Sequence, residues 1–187
     1  MSRTVFGRVL LTGALLLAQP AFLLADEPIR PAPLQERAGQ VVGELLSRYH
    51  YNDRQTDDRL SESVYEAYFD ALDPQRFYFT RADLRAFSDR RHQLDDEILD
   101  GRLDTAYAIF ERYRQRVNER SDHALEILSS GIAFDTSETL QLDRSEADWA
   151  DSSDQLDQLW RRRVINDALT QKLNGRPMEE IRESLAG

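Results

Sequence analysis

Apolar side chains recur every three or four residues through most of the chain from residue 34 onward. This spacing places them on one face of a helix and leaves the opposite face polar. The pattern predicts about six helices, at about 34–51, 57–72, 81–100, 103–130, 153–173 and from 178 onward. We therefore expect an all-α fold, an irregular helical bundle whose core is built from the apolar faces.

The apolar positions in each helix predict which side chains face that core. In the second helix two choices stay open, Ala67 or Tyr68 and Ala71 or Leu72. The other inward positions are Leu60 and Val64 in the second helix, Leu84, Phe87, Leu94, Ile98 and Leu99 in the third, Tyr107, Phe110, Tyr113, Val117, Ala124, Leu125 and Leu128 in the fourth, and Leu156, Leu159, Trp160, Val164, Leu169 and Leu173 in the fifth.

The ends of the helices are marked by residues that favour them. Asp73-Pro74 ends the second helix, because proline disfavours helix at the residue before it. Thr80 and Asp83 have the spacing of a capping box, in which each side chain accepts a backbone N–H. Gly101 is expected to end the third helix, and Ser153 to cap the fifth.

Residues at about 132–150 have no helical period and are rich in Asp, Ser and Thr. This composition predicts one non-helical connector between the fourth and fifth helices. Residues 139–142 within it are a candidate for a short strand.

Three consecutive aromatic residues, Phe77, Tyr78 and Phe79, follow the Asp73-Pro74 break. They cannot all point one way in a short link, so we expect at least two to wedge between the second and third helices. An exposed trio that binds peptide is the alternative.

The first 25 residues have a basic start, with Arg3 and Arg8, and then an apolar run. This order predicts a signal peptide over residues 1–25, cleaved near Ala25, and export to a periplasm. An uncleaved membrane anchor is the alternative, but the run is broken at Gln19-Pro20 and is shorter than the roughly 20 residues that span a bilayer. No stable span is expected after cleavage. Residues 26–33 form a proline-rich leader, and the chain contains no cysteine to form a disulfide or a thiolate metal site.

The charge and the residue spacing argue against several functions. A net charge of −10 argues against nucleic acid and anionic lipid as partners and favours a protein. There is no phosphate-binding glycine loop and no Gly-x-Ser-x-Gly elbow. The single lysine, Lys172, is expected in the last turn of a helix, where a cation suits the helix dipole. His50, His92 and His123 lie on three predicted helices without zinc-site spacing. We predict no catalytic, cofactor-binding or metal-binding residue in this chain.

Several charged clusters are expected to be solvated. These are the acids at 95–97 and a basic face formed by Arg112, Arg114, Arg116 and Arg120. The arginines at 161–163 are expected around the fifth helix near Asp154 and Asp157. Stacking on Trp160, or contact with an acidic partner, is the alternative for these three arginines.

Several segments of the chain occur together, in this order, in one protein family. They are Tyr68-Phe69-Asp70-Ala71-Leu72-Asp73-Pro74 running into Arg76-Phe77-Tyr78-Phe79 and Asp83-Leu84, then Leu142-Asp143-Arg144-Ser145 with Trp149, then Leu156-Asp157-Gln158-Leu159-Trp160 with Val164, and last Leu173-Asn174-Gly175 before Glu180-Ile181-Arg182-Glu183. Behind a signal peptide, this order resembles the N-terminal region of the bacterial tail-specific proteases, also called C-terminal processing peptidases. The resemblance covers about residue 35 to the end.

The resemblance implies that residues 34–187 are the helical N-terminal domain of a periplasmic serine endopeptidase, cut off before its PDZ domain and its Ser/Lys peptidase domain. The domain would help to enclose the proteolytic site and would contact substrates with exposed C-termini or a helical-repeat lipoprotein adaptor. No catalytic residue of the family matches a position here, so the chain alone is expected to be inactive. A stand-alone exported helical binding or adaptor protein is the alternative.

Overall fold

The structure, a computed structural model, describes residues 35, 37–41, 44, 58–134 and 137–186. Its regular elements in this part of the chain are six helices and one turn of 3-10 helix, with no strand, so the predicted all-α fold is confirmed. Residues 35, 37–41 and 44 are also helical, while the rest of the first predicted helix, the leader and residues 1–25 lie outside the described residues. The elements are α1 (Asp58–Leu72), α2 (Arg81–Ala86), the 3-10 turn (Ser88–Arg90), α3 (Leu94–Leu99), α4 (Asp104–Ser130), α5 (Ser153–Leu173) and α6 (Met178–Ala186).

The third predicted helix is broken into α2, the 3-10 turn and α3, so the prediction of one continuous helix is wrong. Residues 88–93 contain no apolar side chain that would hold a helix against the core. The Ser88 hydroxyl instead donates to the Arg85 carbonyl at 2.8 Å, which favours a turn. After the turn, the Leu94 N–H donates to the buried Ser61 hydroxyl of α1 at 2.9 Å. At the far end Leu99 is 40% exposed, so its predicted inward position is also wrong.

The predicted helix ends agree with the structure at three of four positions. The first named helix, α1, ends at Leu72, directly before Asp73-Pro74. Thr80 and Asp83 form the complete capping box at the start of α2. Gly101 follows α3 with a φ of 72°, and the Arg102 N–H donates back to the Glu97 carbonyl at 2.6 Å. This is the usual role of glycine after a helix, because the left-handed conformation brings the chain back over the last carbonyls. The cap of α5 is Ser152 and not Ser153, since the Ser152 hydroxyl accepts the Gln155 N–H at 3.3 Å.

Two clusters of buried apolar side chains form the core. The α1 cluster joins α1, α3 and α4, and the α5 cluster joins α4, α5 and the end of the connector. The α1 cluster contains Tyr65, Phe69, Phe79, Leu94 and Ile109, and the α5 cluster contains Phe77, Leu128, Ala150, Leu156, Leu159, Trp160 and Val164.

The inward faces of three helices differ from the prediction. In α1 the fully buried positions are Ser61, Tyr65 and Phe69, while Ala67 and Ala71 are exposed. Two rings one turn apart, with centroids 5.1 Å from each other, bury more apolar area than alanines do, and they set the rotation of the helix. In α4, Ile109 is fully buried but Leu125 is 43% exposed, and in α5 Leu173 is 78% exposed.

The three aromatic residues form a bent segment between the two clusters, which we call the aromatic joint (residues 77–79). Phe77 belongs to the α5 cluster and Phe79 to the α1 cluster, at 7% and 0% exposure. Tyr78 lies between them, with its ring centroid 5.3 Å from that of Tyr113 and 5.5 Å from that of Trp160. The prediction that at least two rings are buried is confirmed, and the exposed trio is excluded. The prediction placed these rings between the second and third predicted helices. In the structure Phe77 and Phe79 are instead part of two different core clusters.

Asp73 holds the turn that leads into the aromatic joint. Its carboxylate is 1% exposed and accepts the backbone N–H groups of Phe77 at 2.8 Å, Tyr78 at 2.8 Å and Phe79 at 3.0 Å. Arg76, inside the turn, has a φ of 54°, a left-handed conformation that is uncommon for residues other than glycine. Burial raises the pKa of Asp73, and the three backbone donors oppose that rise. The carboxylate therefore supplies the acceptors for three backbone N–H groups that are not paired within a helix or a sheet.

We expect Asp73→Asn to destabilise the protein by about 1–3 kcal/mol, because a side-chain amide has one acceptor oxygen and leaves a buried N–H without a partner. Urea unfolding followed by circular dichroism measures the change. Asp70→Asn, in the last turn of α1 and with a side chain that is 57% exposed, is the matched control and should change stability by less than about 0.5 kcal/mol. Equal effects of the two substitutions would contradict the role of Asp73.

Candidate functional site

The arginines of α4 are not the solvated basic face that the sequence predicts. Arg116 donates from Nε and Nη2 to the two carboxylate oxygens of Asp83, both at 2.9 Å. Its side chain is 15% exposed and that of Asp83 is 4% exposed. Arg112 lies 3.6 Å from the same carboxylate. A bidentate guanidinium–carboxylate pair therefore ties α4 to the start of α2.

Arg120 makes a second link from α4, in this case to Asp157 of α5. Its side chain is 7% exposed, so the predicted solvated position is wrong here too. His123, one turn later, lies with Nε2 at 3.3 Å from the Asp157 carbonyl. Both links join residues more than 30 positions apart in the sequence, which is why spacing along one helix did not predict them.

The acidic cluster at 95–97 is also partly buried, contrary to the prediction. Glu97 is 4% exposed and accepts the Thr105 N–H at 2.9 Å and the Thr105 hydroxyl at 2.7 Å. This carboxylate caps the N-terminus of α4, where negative charge is favourable. Asp95 is buried as well, and only Asp96 is exposed as expected.

The connector between α4 and α5 lies along α5 and forms a groove with it. No strand occurs in its described part, so the short strand suggested for 139–142 is wrong. Leu140 is half-buried against the α5 cluster, whereas Leu142 is 73% exposed. The connector groove has a volume of about 480 Å³ and is lined by Gln75, Phe77, Leu140, Leu142, Asp143, Arg163, Asn166 and Asp167.

A second cavity, of about 420 Å³, is lined by residues of the same two elements that precede those of the connector groove in the sequence. Its lining residues are Ser137, Glu138, Thr139, Gln158, Arg161 and Arg162. The two cavities are thus lined by consecutive stretches of the connector, 137–139 and 140–143, and by consecutive turns of α5.

Guanidinium groups surround the Phe77 side of the connector groove. Arg163 lies 4.5 Å from the Phe77 ring centroid and 4.8 Å from that of Trp160, and Arg144 lies 5.5 Å from the Phe77 ring centroid. The alternative of stacking on Trp160 is therefore confirmed for Arg163. Burial lowers the pKa of Arg144, and the neighbouring charges of Arg162 and Arg76 add to this effect.

Neither Lys172 nor His92 lines the connector groove. Lys172 is in the last turn of α5, as expected, with Nζ 4.4 Å from the Phe134 ring centroid. His92 is exposed, with Nδ1 at 3.5 Å from the Asp58 carbonyl, and His50 lies outside the described residues. Among the residues described, no group of three or more acids and histidines is placed to hold a metal ion. No helix in the same part of the chain is long and apolar enough to cross a membrane.

The family can now be assigned from the sequence profile that the chain matches. The profile described as the tail specific protease N-terminal domain matches residues 41–186. This chain belongs to that family. The match includes all six named helices, the aromatic joint and the connector groove. It confirms the resemblance found in the sequence.

A relative supports the same assignment. A protein of Haemophilus influenzae (strain ATCC 51907 / DSM 11121 / KW20 / Rd) named tail-specific protease is 26% identical over 194 residues, which cover 99% of this chain and 28% of the relative. The chain thus spans less than a third of the length of this curated relative. The absence of catalytic, cofactor-binding and metal-binding residues from this N-terminal domain stays a prediction.

The Asp83–Arg116 pair should make the stability of the domain depend on pH. Burial opposes ionisation of Asp83, but hydrogen bonds from Arg116 and Thr80 outweigh it and lower the pKa below its usual value. The stability from this pair is therefore complete above the unfolded-state pKa of about 3.9 and is lost as the pH falls through the lower native pKa.

We expect Arg116→Gln to cost about 1.5–3 kcal/mol at pH 7 and less at pH 3, measured by urea unfolding at both pH values. Arg182→Gln, which removes an exposed arginine 4.0 Å from Glu179, is the control and should change stability little at either pH. A loss at pH 3 equal to that at pH 7 would contradict the lowered pKa of Asp83.

Proposed function

We propose that this chain is the N-terminal helical module of a periplasmic tail-specific serine endopeptidase. In this proposal the helices help to enclose the proteolytic site and contact the protein substrate or an adaptor. The observation that carries the proposal is the family match over residues 41–186, supported by a relative that is named a tail-specific protease and is much longer than this chain.

The proposal assigns the hydrolysis to the part of the protease that follows this module. A serine nucleophile paired with a lysine base needs a buried, neutral lysine. The only lysine of this chain, Lys172, is exposed at the end of α5 and lies over Phe134. We therefore propose that the chain alone does not cleave peptides and that its task is to bind and position proteins.

The periplasmic assignment rests on the first 25 residues and on composition. Their basic start and apolar run are typical of a secretory signal. The sequence contains no cysteine, which is compatible with export, because a protein in an oxidising compartment does not have to form disulfides.

The intact mass of the endogenous protein tests the proposal. The protein is recovered from the periplasmic fraction with an antibody to this chain, and its mass and peptide map are measured. We expect a species far heavier than 21.7 kDa, with peptides that begin near Asp26 and continue past Gly187. A species slightly lighter than 21.7 kDa that ends at Gly187 would instead support a stand-alone binding or adaptor protein.

A further inference from the structure

The connector groove displays an apolar side chain, Leu142, over which nothing in the described part of the chain packs closely. Leu142 is 73% exposed, although the neighbouring Leu140 is half-buried against the α5 cluster and Phe77 is 7% exposed below them. These three side chains give the groove an apolar surface. Its volume of about 480 Å³ lies in the range of cavities that bind ligands.

Arg163 brings a positive charge to this apolar surface. Its side chain is 36% exposed and is held over the rings of Phe77 and Trp160. Among the described residues the Arg163 guanidinium has one ion pair, with Asp167 at 3.9 Å, which is too long for a hydrogen bond. The aromatic rings therefore position a guanidinium for which the described residues show no hydrogen bond.

Arg144 is the second such guanidinium beside Phe77. Its Nε is buried without a hydrogen-bond partner, and no carboxylate in the described part of the chain lies within ion-pair distance of it. The negative charge that acts on it is Asp73, whose oxygens already accept three backbone N–H groups. A half-buried guanidinium whose Nε has no hydrogen-bond partner is costly, and a carboxylate from another molecule would relieve that cost.

We propose that the connector groove binds an extended segment of a partner protein that carries an acidic side chain next to a bulky apolar one. The acidic side chain pairs with Arg163 and Arg144, and the apolar one packs on Leu142 and Leu140. The inference deepens the proposed function, because it names the surface through which the protease module contacts a protein.

The charged side chains that line the groove favour a ligand with a single negative charge over a polyanion. Asp143 and Asp167 line the same cavity as Arg163, so a polyanion such as nucleic acid would be repelled, as it would be by the net charge of −10. A ligand with one carboxylate next to an apolar side chain fits a groove whose lining combines an arginine, aspartates and apolar side chains. The second cavity continues the surface along the connector and α5, which suits a segment that passes through rather than a chain end.

A binding assay with labelled peptides tests the proposal on the purified 187-residue chain. The probe is a fluorescein-labelled, C-terminally amidated peptide with one leucine followed by one aspartate in a glycine and serine background. A matched probe has asparagine in place of the aspartate, and a third has the asparagine and a free C-terminal carboxylate. Fluorescence anisotropy gives the three dissociation constants.

We expect the aspartate probe to bind about tenfold more tightly than either asparagine probe, because only it supplies a charge-assisted hydrogen bond inside the segment. Leu142→Ser and Arg163→Gln should each weaken its binding about tenfold. Leu173→Ser, which removes a leucine that is 78% exposed but lies outside the groove, should leave binding unchanged. Urea unfolding of each variant shows whether the fold is intact. Leu142→Ser is the decisive variant, because the Leu142 side chain is 73% exposed and its replacement should disturb the fold least.

Four results would each overturn the proposal. They are equal binding of the aspartate and asparagine probes, preference for the free C-terminal carboxylate, no binding at millimolar concentration, and binding that Leu142→Ser does not change. These results are separate from the mass measurement. A heavy periplasmic species without peptide binding overturns the groove alone, whereas peptide binding by a species that ends at Gly187 overturns the protease module alone.

Discussion

The fold depends on the buried carboxylate of Asp73. An ionised group with 1% exposure would be very costly without partners, but here it accepts three consecutive backbone N–H groups, from Phe77 to Phe79. These bonds fix the direction in which the chain leaves α1. They allow Phe77 to enter the α5 cluster and Phe79 the α1 cluster, and the Trp160 indole N–H closes the arrangement by donating to the Phe77 carbonyl at 2.6 Å.

The helices and their ends could be predicted largely from local residue patterns. The capping box at Thr80 and the glycine after α3 depend on residues within one or two turns, so sequence spacing contains the necessary information. The helical period of the apolar residues does not reveal the break after Ala86, because the same period continues on both sides of residues 88–93. Within those six residues no apolar side chain supports a helix. The rotation of α1 was off by one residue, because tertiary packing of the Tyr65 and Phe69 rings decided it.

The candidate site was harder to predict than the fold. Arg116 and Arg120 looked like a solvated face because their acidic partners, Asp83 and Asp157, lie on other elements. The connector groove depends on how a non-helical segment lies along α5, and no period in the sequence describes that. One local signal was present, since Arg163 follows Trp160 by three residues, which places a guanidinium near the indole on one helix face.

The length of the link after α1 has a consequence for how the domain can change in evolution. The Asp73 carboxylate accepts N–H groups four, five and six residues further on, and Phe77 and Phe79 enter two different clusters, so inserting or deleting one residue between Asp73 and Phe77 would break both arrangements. Connecting segments usually tolerate changes in length better than the helices that they join. In this domain the short link after α1 is an exception, because one carboxylate and two apolar clusters together set its length.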